Sequence, residues 1–304
     1  MTRPEVGAGV ADVDLGGRTV LVTGATSGVG RETALALGRL GARVLVHGRD
    51  RDRGRETVAA LRDDGVPDPV FLAADFADLD AVRGLAARVR EETDGLDVLV
   101  NNAGAHFQAG TLTDAGVERT FAVNHLAPFL LTNLLIPAVP ADGRIVTVSS
   151  ALHSDATLDL DAVRSVDGYD GLAAYSRSKL ANVLFTMELA RRLDDRTATV
   201  LHPGFVPGSS IWRDARLHVR LLMAVLDAVP QALTGGRVST PAQAAETSVY
   251  LAASPAVADV TGAYFADCER KQPGRAARDE TAQQELWAFS EDVAGLAETE
   301  TPSP

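Results

Sequence analysis

Tyr175 and Lys179 stand four residues apart in Tyr175-Ser176-Arg177-Ser178-Lys179, inside a stretch of helical periodicity. On a helix, that spacing puts both side chains on one face. A phenol titrates at about pH 10, too high to serve as a base near neutrality. A neighbouring ammonium favours the phenolate and lowers that value, so the pair could give and take a proton at a substrate oxygen. Ser149 and Ser150 close a run of strand character. A serine hydroxyl at a strand end can hydrogen-bond the same oxygen and steady charge there. Adjacent strand residues point to opposite faces, so only one of the two can face the site.

A second constellation lies near the N-terminus. An apolar run over 20–22 leads into Thr23-Gly24-Ala25-Thr26-Ser27-Gly28-Val29-Gly30, and a helical pattern follows. Glycines there permit a tight turn, close approach of backbone to a pyrophosphate, and close helix packing. The helix N-terminus adds free N–H groups and a positive dipole end. The strand–turn–helix context, at the start of the first βαβ unit, points to a dinucleotide.

These residues need a scaffold, and the pattern supplies one. Short apolar runs at 20–22, 44–46, 70–72, 98–100, 145–148 and 197–201 read as buried strands. Between them, 31–40, 52–61, 79–92, 117–135 and 176–193 carry apolar residues at helical spacing. The alternation predicts an α/β fold: one doubly wound, Rossmann-like parallel sheet with helices on both faces. Residues 15–296 form the expected single domain, with flexible ends at 1–14 and 297–304. Residues 205–236, with prolines and glycines around an apolar stretch, read as a substrate lid. Residues 279–296 read as a last helix, with Leu286, Trp287 and Phe289 available to pack.

Taken together, the motifs resemble the short-chain dehydrogenase/reductase family over roughly residues 15–296. The turn has the spacing TGxxxGxG, Asn101-Asn102-Ala103-Gly104 stands where the family has NNAG, and Tyr175 to Lys179 matches YxxxK. Asn124 lies in Phe121-Ala122-Val123-Asn124-His125, and Pro203-Gly204 follows the sixth strand, as in the family. Within it, the chain is most like the retinol dehydrogenase group, with WW-domain oxidoreductases and protochlorophyllide reductases. The segments that carry this likeness are His47-Gly48-Arg49-Asp50, Ser149-Ser150-Ala151-Leu152-His153 and Tyr264-Phe265-Ala266-Asp267-Cys268.

The resemblance implies roles. Ser150, second of its pair, becomes the catalytic serine beside Tyr175, and Lys179 also binds the nicotinamide ribose. Asn124 would hold a water joined to Lys179; the alternative is a buried asparagine satisfying backbone groups. Cofactor contacts are implied for Thr23, Gly24, Thr26, Ser27, Gly28, Val29 and Gly30 in the turn. Others are implied for Asp75 and Phe76 after the third strand, for Asn102, Ala103 and Gly104, and for Pro203, Gly204 and Val206. One departure stands out: Gly208 occupies a position where the family has threonine, with Ser209 and Ser210 as substitutes.

Cofactor choice is read at the end of the second strand, Val46-His47-Gly48-Arg49. NAD enzymes of this fold carry Asp or Glu there, bonded to ribose hydroxyls. Gly48 removes that carboxylate, and Arg49 can grip a 2′-phosphate, so NADP(H) is expected. The competing readings leave Arg49 stacked on adenine or paired with a surface acid. Ser27 is a counter-signal, for which Arg31 partly compensates.

The expected function is hydride transfer between NADP(H) and an apolar carbonyl or alcohol. Alternatives are reduction of a carbon–carbon double bond on the same scaffold and a catalytically silent NADP(H)-binding regulator. A net charge of −12 argues against nucleic acid and anionic membranes as partners. Cys268 is the sole cysteine, so no internal disulfide can form, which suits a reducing cytoplasmic setting. No signal peptide or membrane anchor is expected, since the apolar runs 126–136 and 221–229 fall short of a span of roughly 20 residues. Six scattered histidines form no metal motif. Family analogy suggests a homodimer or homotetramer.

Overall fold

A computed structural model describes residues 3–207 and 238–296. Most of the expected lid, the expected frayed end at 297–304, and Gly208, Ser209 and Ser210 lie outside the described residues.

Eight strands form one sheet in the order β3-β2-β1-β4-β5-β6-β7-β8. They are β1 Thr19–Val22, β2 Arg43–Gly48, β3 Val70–Ala73, β4 Val98–Asn101, β5 Arg144–Val148, β6 Thr197–Leu201, β7 Ala263–Ala266 and β8 Glu269–Lys271. The first seven run parallel, and β8 returns antiparallel to β7. The central strands β1 and β4 are buried at every residue because helices cover both faces.

One face packs α4 (Leu79–Glu92), α5 (119–135), α6 (Gly171–Arg192) and α8 (Glu280–Ala294) around Leu21, Leu99, Ile145, Phe185 and Trp287. The other packs α2 (Gly28–Arg39), α3 (Arg51–Asp63) and α7 (Pro241–Ala253) around Val22, Val46, Val100, Leu37 and Val249. Four helices start at an aspartate whose carboxylate accepts first-turn N–H groups: Asp50 for α3, Asp78 for α4, Asp170 for α6 and Asp279 for α8. As expected, Leu286 and Trp287 of α8 are buried.

The helix over Arg119–Ala138 is long and apolar enough, by length and composition alone, to cross a bilayer. Uninterrupted apolar runs do not reveal it, because Arg119, Asn124 and His125 break the run. Here it is a core helix, mostly buried within the fold.

The expectation of a flexible leader over 1–14 fails for residues 3–14. A short helix, α1 (Pro4–Gly7), packs against α7, and Ala8 and Val10 join the core. Gly7 lets α1 come close, since a Cβ there would lie 2.1 Å from Glu246 Oε1. Glu5 is 4% exposed and accepts from Arg39 Nε at 2.7 Å and Nη2 at 2.8 Å. Burial pushes the Glu5 carboxyl up, but the Arg39 hydrogen bonds and charge outweigh that and hold it below the usual carboxylate value.

Glu5→Gln should therefore destabilise the chain by about 2–3 kcal/mol in urea unfolding at pH 7, rather less than for a wholly enclosed pair. A depressed folded pKa contributes stability that is complete above the unfolded value of 4.5 and is lost as pH falls through the folded one. The gap between native and variant should thus shrink below that pH.

Candidate active site

A cavity of about 980 Å³ opens at the carboxyl ends of the strands. Its floor is the junction of the turns after β1 and β4. Thr23 Oγ1 donates to Val100 O at 3.2 Å and accepts from the N–H groups of Asn102 and Ala103, each at 3.0 Å. Asn102 Nδ2 donates back to Thr23 O at 2.7 Å. Thr23 is wholly buried and does not line the cavity, so its expected cofactor contact is corrected to a structural one.

That junction leaves no room for side chains. A Cβ on Gly24, at φ +68°, would lie 2.9 Å from Ala103 Cα, and one on Gly30 would lie 2.2 Å from Asn102 Nδ2. Gly28, at φ +56°, faces open space on the cavity wall beside Thr26, Ser27 and Val29. Ser27 makes no side-chain cap, so the first N–H groups of α2 are left to the cavity. The contrast with the aspartate caps of α3, α4, α6 and α8 suits an anion at this helix start.

At one flank, Gly48 packs so tightly that a Cβ would lie 2.4 Å from Thr26 Cγ2. Arg49 and Asp75 both line the wall and face each other, with Arg49 Nη1 at 3.8 Å from Asp75 Oδ1. Both side chains are 46% exposed, so the pair is weak and easily exchanged. Arg53 also lines this flank. Its place one turn into α3, beyond Asp50, was the signal available. Phe76 stacks on His47 at 4.4 Å, and burial pushes the His47 imidazole down to about 4, so it is neutral.

The opposite end holds Tyr175 and Lys179, both buried on one face of α6. Lys179 Nζ donates to Val148 O at 3.0 Å, and burial pushes it down to about 8. Ser149 and Ser150 both border the cavity, but Ser149 is 2% exposed and its Oγ is committed to Lys179 O at 2.7 Å. Burial pushes the Tyr175 hydroxyl well above its usual value, and a hydrogen bond with Ser150 opposes this. The expected lowering by Lys179 is not realised in the chain by itself. Its ammonium lies 5.8 Å from the Tyr175 ring centroid, and desolvation dominates.

Asn124 sits in a π turn (Ala122–Leu126) of α5 and does not line the cavity. Its Oδ1 accepts from Ala105 N at 2.7 Å, and its Nδ2 donates to Ala105 O and Ser178 Oγ, each at 2.9 Å. These bonds fit an asparagine that satisfies backbone groups. Gly104 threads between it and the lysine: a Cβ there would lie 3.1 Å from Lys179 Nζ and 3.6 Å from Asn124 Oδ1. Asn102, Ala103, Pro203, Gly204 and Val206 complete the wall near the junction. His202 lines it too, as do Leu152, Leu172 and Phe205, and Phe107, which carries no local signal of such a role. Among the described residues, no cluster could hold a metal ion.

A short chain dehydrogenase profile matches residues 18–218. The chain belongs to the short-chain dehydrogenase/reductase family. It is 42% identical to human retinol dehydrogenase 14 over 298 residues, covering 92% of this chain and 87% of that protein. A protein of Mycobacterium paratuberculosis superposes with a TM-score of 0.74 at 32% identity, covering 97% and 98% of the two chains. The landomycin C-6 ketoreductase LanV, solved with bound NADP and rabelomycin, gives 0.64 at 30% identity over 84% and 96%. This dehydrogenase/reductase therefore has relatives across its whole length.

Because Gly30 is wedged against Asn102 and Gly24, Gly30→Ala should cost about 1–3 kcal/mol as overpacking. Urea unfolding would measure it. Ala at Gly84, which meets nothing within 4 Å, should not show that overpacking loss.

Proposed function

We propose that the chain transfers hydride between NADP(H) and an apolar carbonyl or alcohol substrate. The observation that carries this reading is one continuous cavity joining the glycine turn and Arg49 to Ser150, Tyr175 and Lys179. The uncapped α2 start, the glycines that admit no Cβ and the half-exposed Arg49 fit a dinucleotide with a 2′-phosphate. The NADP reported with LanV supports the same choice.

When bound, the cofactor supplies or accepts the hydride. The chain's residues handle the oxygen. Burial keeps the Tyr175 phenol protonated, so it is a proton donor to a carbonyl oxygen at neutral pH. The Ser150 hydroxyl lines the same end of the cavity as Tyr175 and can bond the same oxygen. The Lys179 ammonium, held by Val148 O, places positive charge beside the oxygen that gains electron density. Around this end lie Phe107, Leu152, Leu172 and Phe205, the last two 52% and 40% exposed. Such surface favours a large apolar substrate.

Tyr175→Phe should abolish NADPH oxidation with retinal and with a naphthyl ketone, while the NADPH Kd from fluorescence titration stays near native. Turnover within a few-fold of native would reject the role of the phenol.

For cofactor preference, Gly48→Asp is a poor probe, because its Cβ would strike Thr26. Arg49→Ala is cleaner. It should weaken NADPH by about 10- to 150-fold, the loss of one charge-assisted phosphate contact, and leave NADH almost unchanged. Equal loss for both cofactors would reject a 2′-phosphate contact at Arg49.

A further inference from the structure

His153 lies one turn beyond Ser150, in the 3-10 turn Ala151–Asp155, and is 1% exposed. It does not line the cavity. Its Nδ1 is 2.7 Å from Ser150 O, and its Nε2 is 3.0 Å from Gly274 N. A carbonyl can only accept and an amide N–H can only donate. Both partners therefore demand the same neutral tautomer, with the proton on Nδ1. Burial, which pushes this imidazole down, favours the neutral form. The Ser150 carbonyl also accepts from His153 N at 3.1 Å, so backbone and ring of one residue hold it together.

Gly274 reaches the ring from a distant part of the chain. It follows β8, and a Cβ on it would lie 2.7 Å from Ser154 Cα, so only glycine lets this loop press against the serine turn. The Tyr264 ring of β7 packs on His153 at 4.9 Å and completes its enclosure.

We propose that His153 is a positioning residue for Ser150: its Nδ1–H holds the serine's carbonyl, and Gly274 N–H on Nε2 fixes the ring in the tautomer that can do so. The β7–β8 hairpin thereby reaches the reacting end of the cavity. The role in turnover rests on the hydride-transfer reading above; the tautomer does not.

Two variants separate positioning from mere packing. In His153→Asn, the amide nitrogen overlays Nδ1, so the donor to Ser150 survives and the Gly274 contact is lost. In His153→Gln, the amide overlays Nε2, so the Gly274 contact survives and the donor to Ser150 is lost. Each loses one buried hydrogen bond, so their melting temperatures should fall by similar amounts. The kcat for retinal and the naphthyl ketone should divide: within about threefold of native for Asn, and down by up to about 100-fold for Gln, the scale of a 1 Å misplacement at a reacting group. The NADPH Kd should stay native in both. Equal kcat losses in the two variants, or a Gln variant as fast as native, would overturn the proposal. So would an Nε2–H tautomer, or an imidazolium at pH 7, in ¹⁵N-resolved spectra of the histidine ring. Should the native chain reduce neither carbonyl, the hydride-transfer reading fails, and the ring spectra still decide the tautomer.

Discussion

The carboxyl ends of β1 and β4 are joined by one buried hydroxyl, that of Thr23, which bonds Val100 O and the N–H groups of Asn102 and Ala103. At this point the sheet order turns from β3-β2-β1 to β4-β5-β6, and chains leaving the two strands diverge. Divergence opens a crevice; the threonine sets how narrow its floor is. With the two turns drawn together, Gly24 and Gly30 cannot carry a Cβ, and α2 starts directly above the floor with its N–H groups bare. Each such hydrogen bond contributes only about 1 kcal/mol net, but their joint effect is geometric: they aim the helix.

At the other end, the cavity is governed by burial rather than by polar ties. Tyr175 and Lys179 are both pushed toward their uncharged forms, the phenol upward and the ammonium downward to about 8. The two shifts do not cancel in function. A phenol pushed upward keeps its proton, while a lysine at about 8 is still mostly charged at neutral pH. The site thus holds one donor of protons and one source of positive potential, close together in a region with little water to screen them. Four-residue spacing alone assigns the lysine the task of lowering the tyrosine. In the folded chain, burial of the phenol dominates, with the Lys179 ammonium 5.8 Å from the Tyr175 ring centroid.

Features written in local chemistry were legible in the sequence. Strand–glycine–helix spacing located the turn, four-residue spacing located Tyr175 and Lys179, and short apolar runs located β1 to β6 but not β7. The features that escaped lacked a local signature. β8 is Glu269–Lys271, exposed and charged, as suits an edge strand that avoids further pairing. α1 is four residues long and is held by tertiary contacts, Glu5 to Arg39 above all. Thr23 looks like any residue of a phosphate turn until the fold shows its hydroxyl spent on β4. Phe107 joins Leu152, Leu172 and Phe205 on the apolar wall from a position too distant in sequence to form a pattern with them.

The β7–β8 hairpin shows how an unfavourable local structure can persist. Ala266 pairs with Glu269, so Asp267 and Cys268 form a two-residue turn, and both have positive φ, +52° and +58°. Asp tolerates that region and Cys does so less readily, at a cost of roughly 1–2 kcal/mol per residue. β8 itself buries nothing, since all three of its residues are exposed. Thr247 Oγ1 steadies the turn by accepting from Cys268 N at 3.1 Å. Even so, pairing three exposed residues is a small return for two strained ones. The loop after β8 adds further contacts, where Gly274 meets Ser154 and donates to His153 Nε2 at 3.0 Å. Backbone strain of this sort concentrates where surrounding structure over-determines it for a use. Here the turn sends the chain back across the sheet edge, to the histidine that holds the Ser150 carbonyl from both its backbone and its ring.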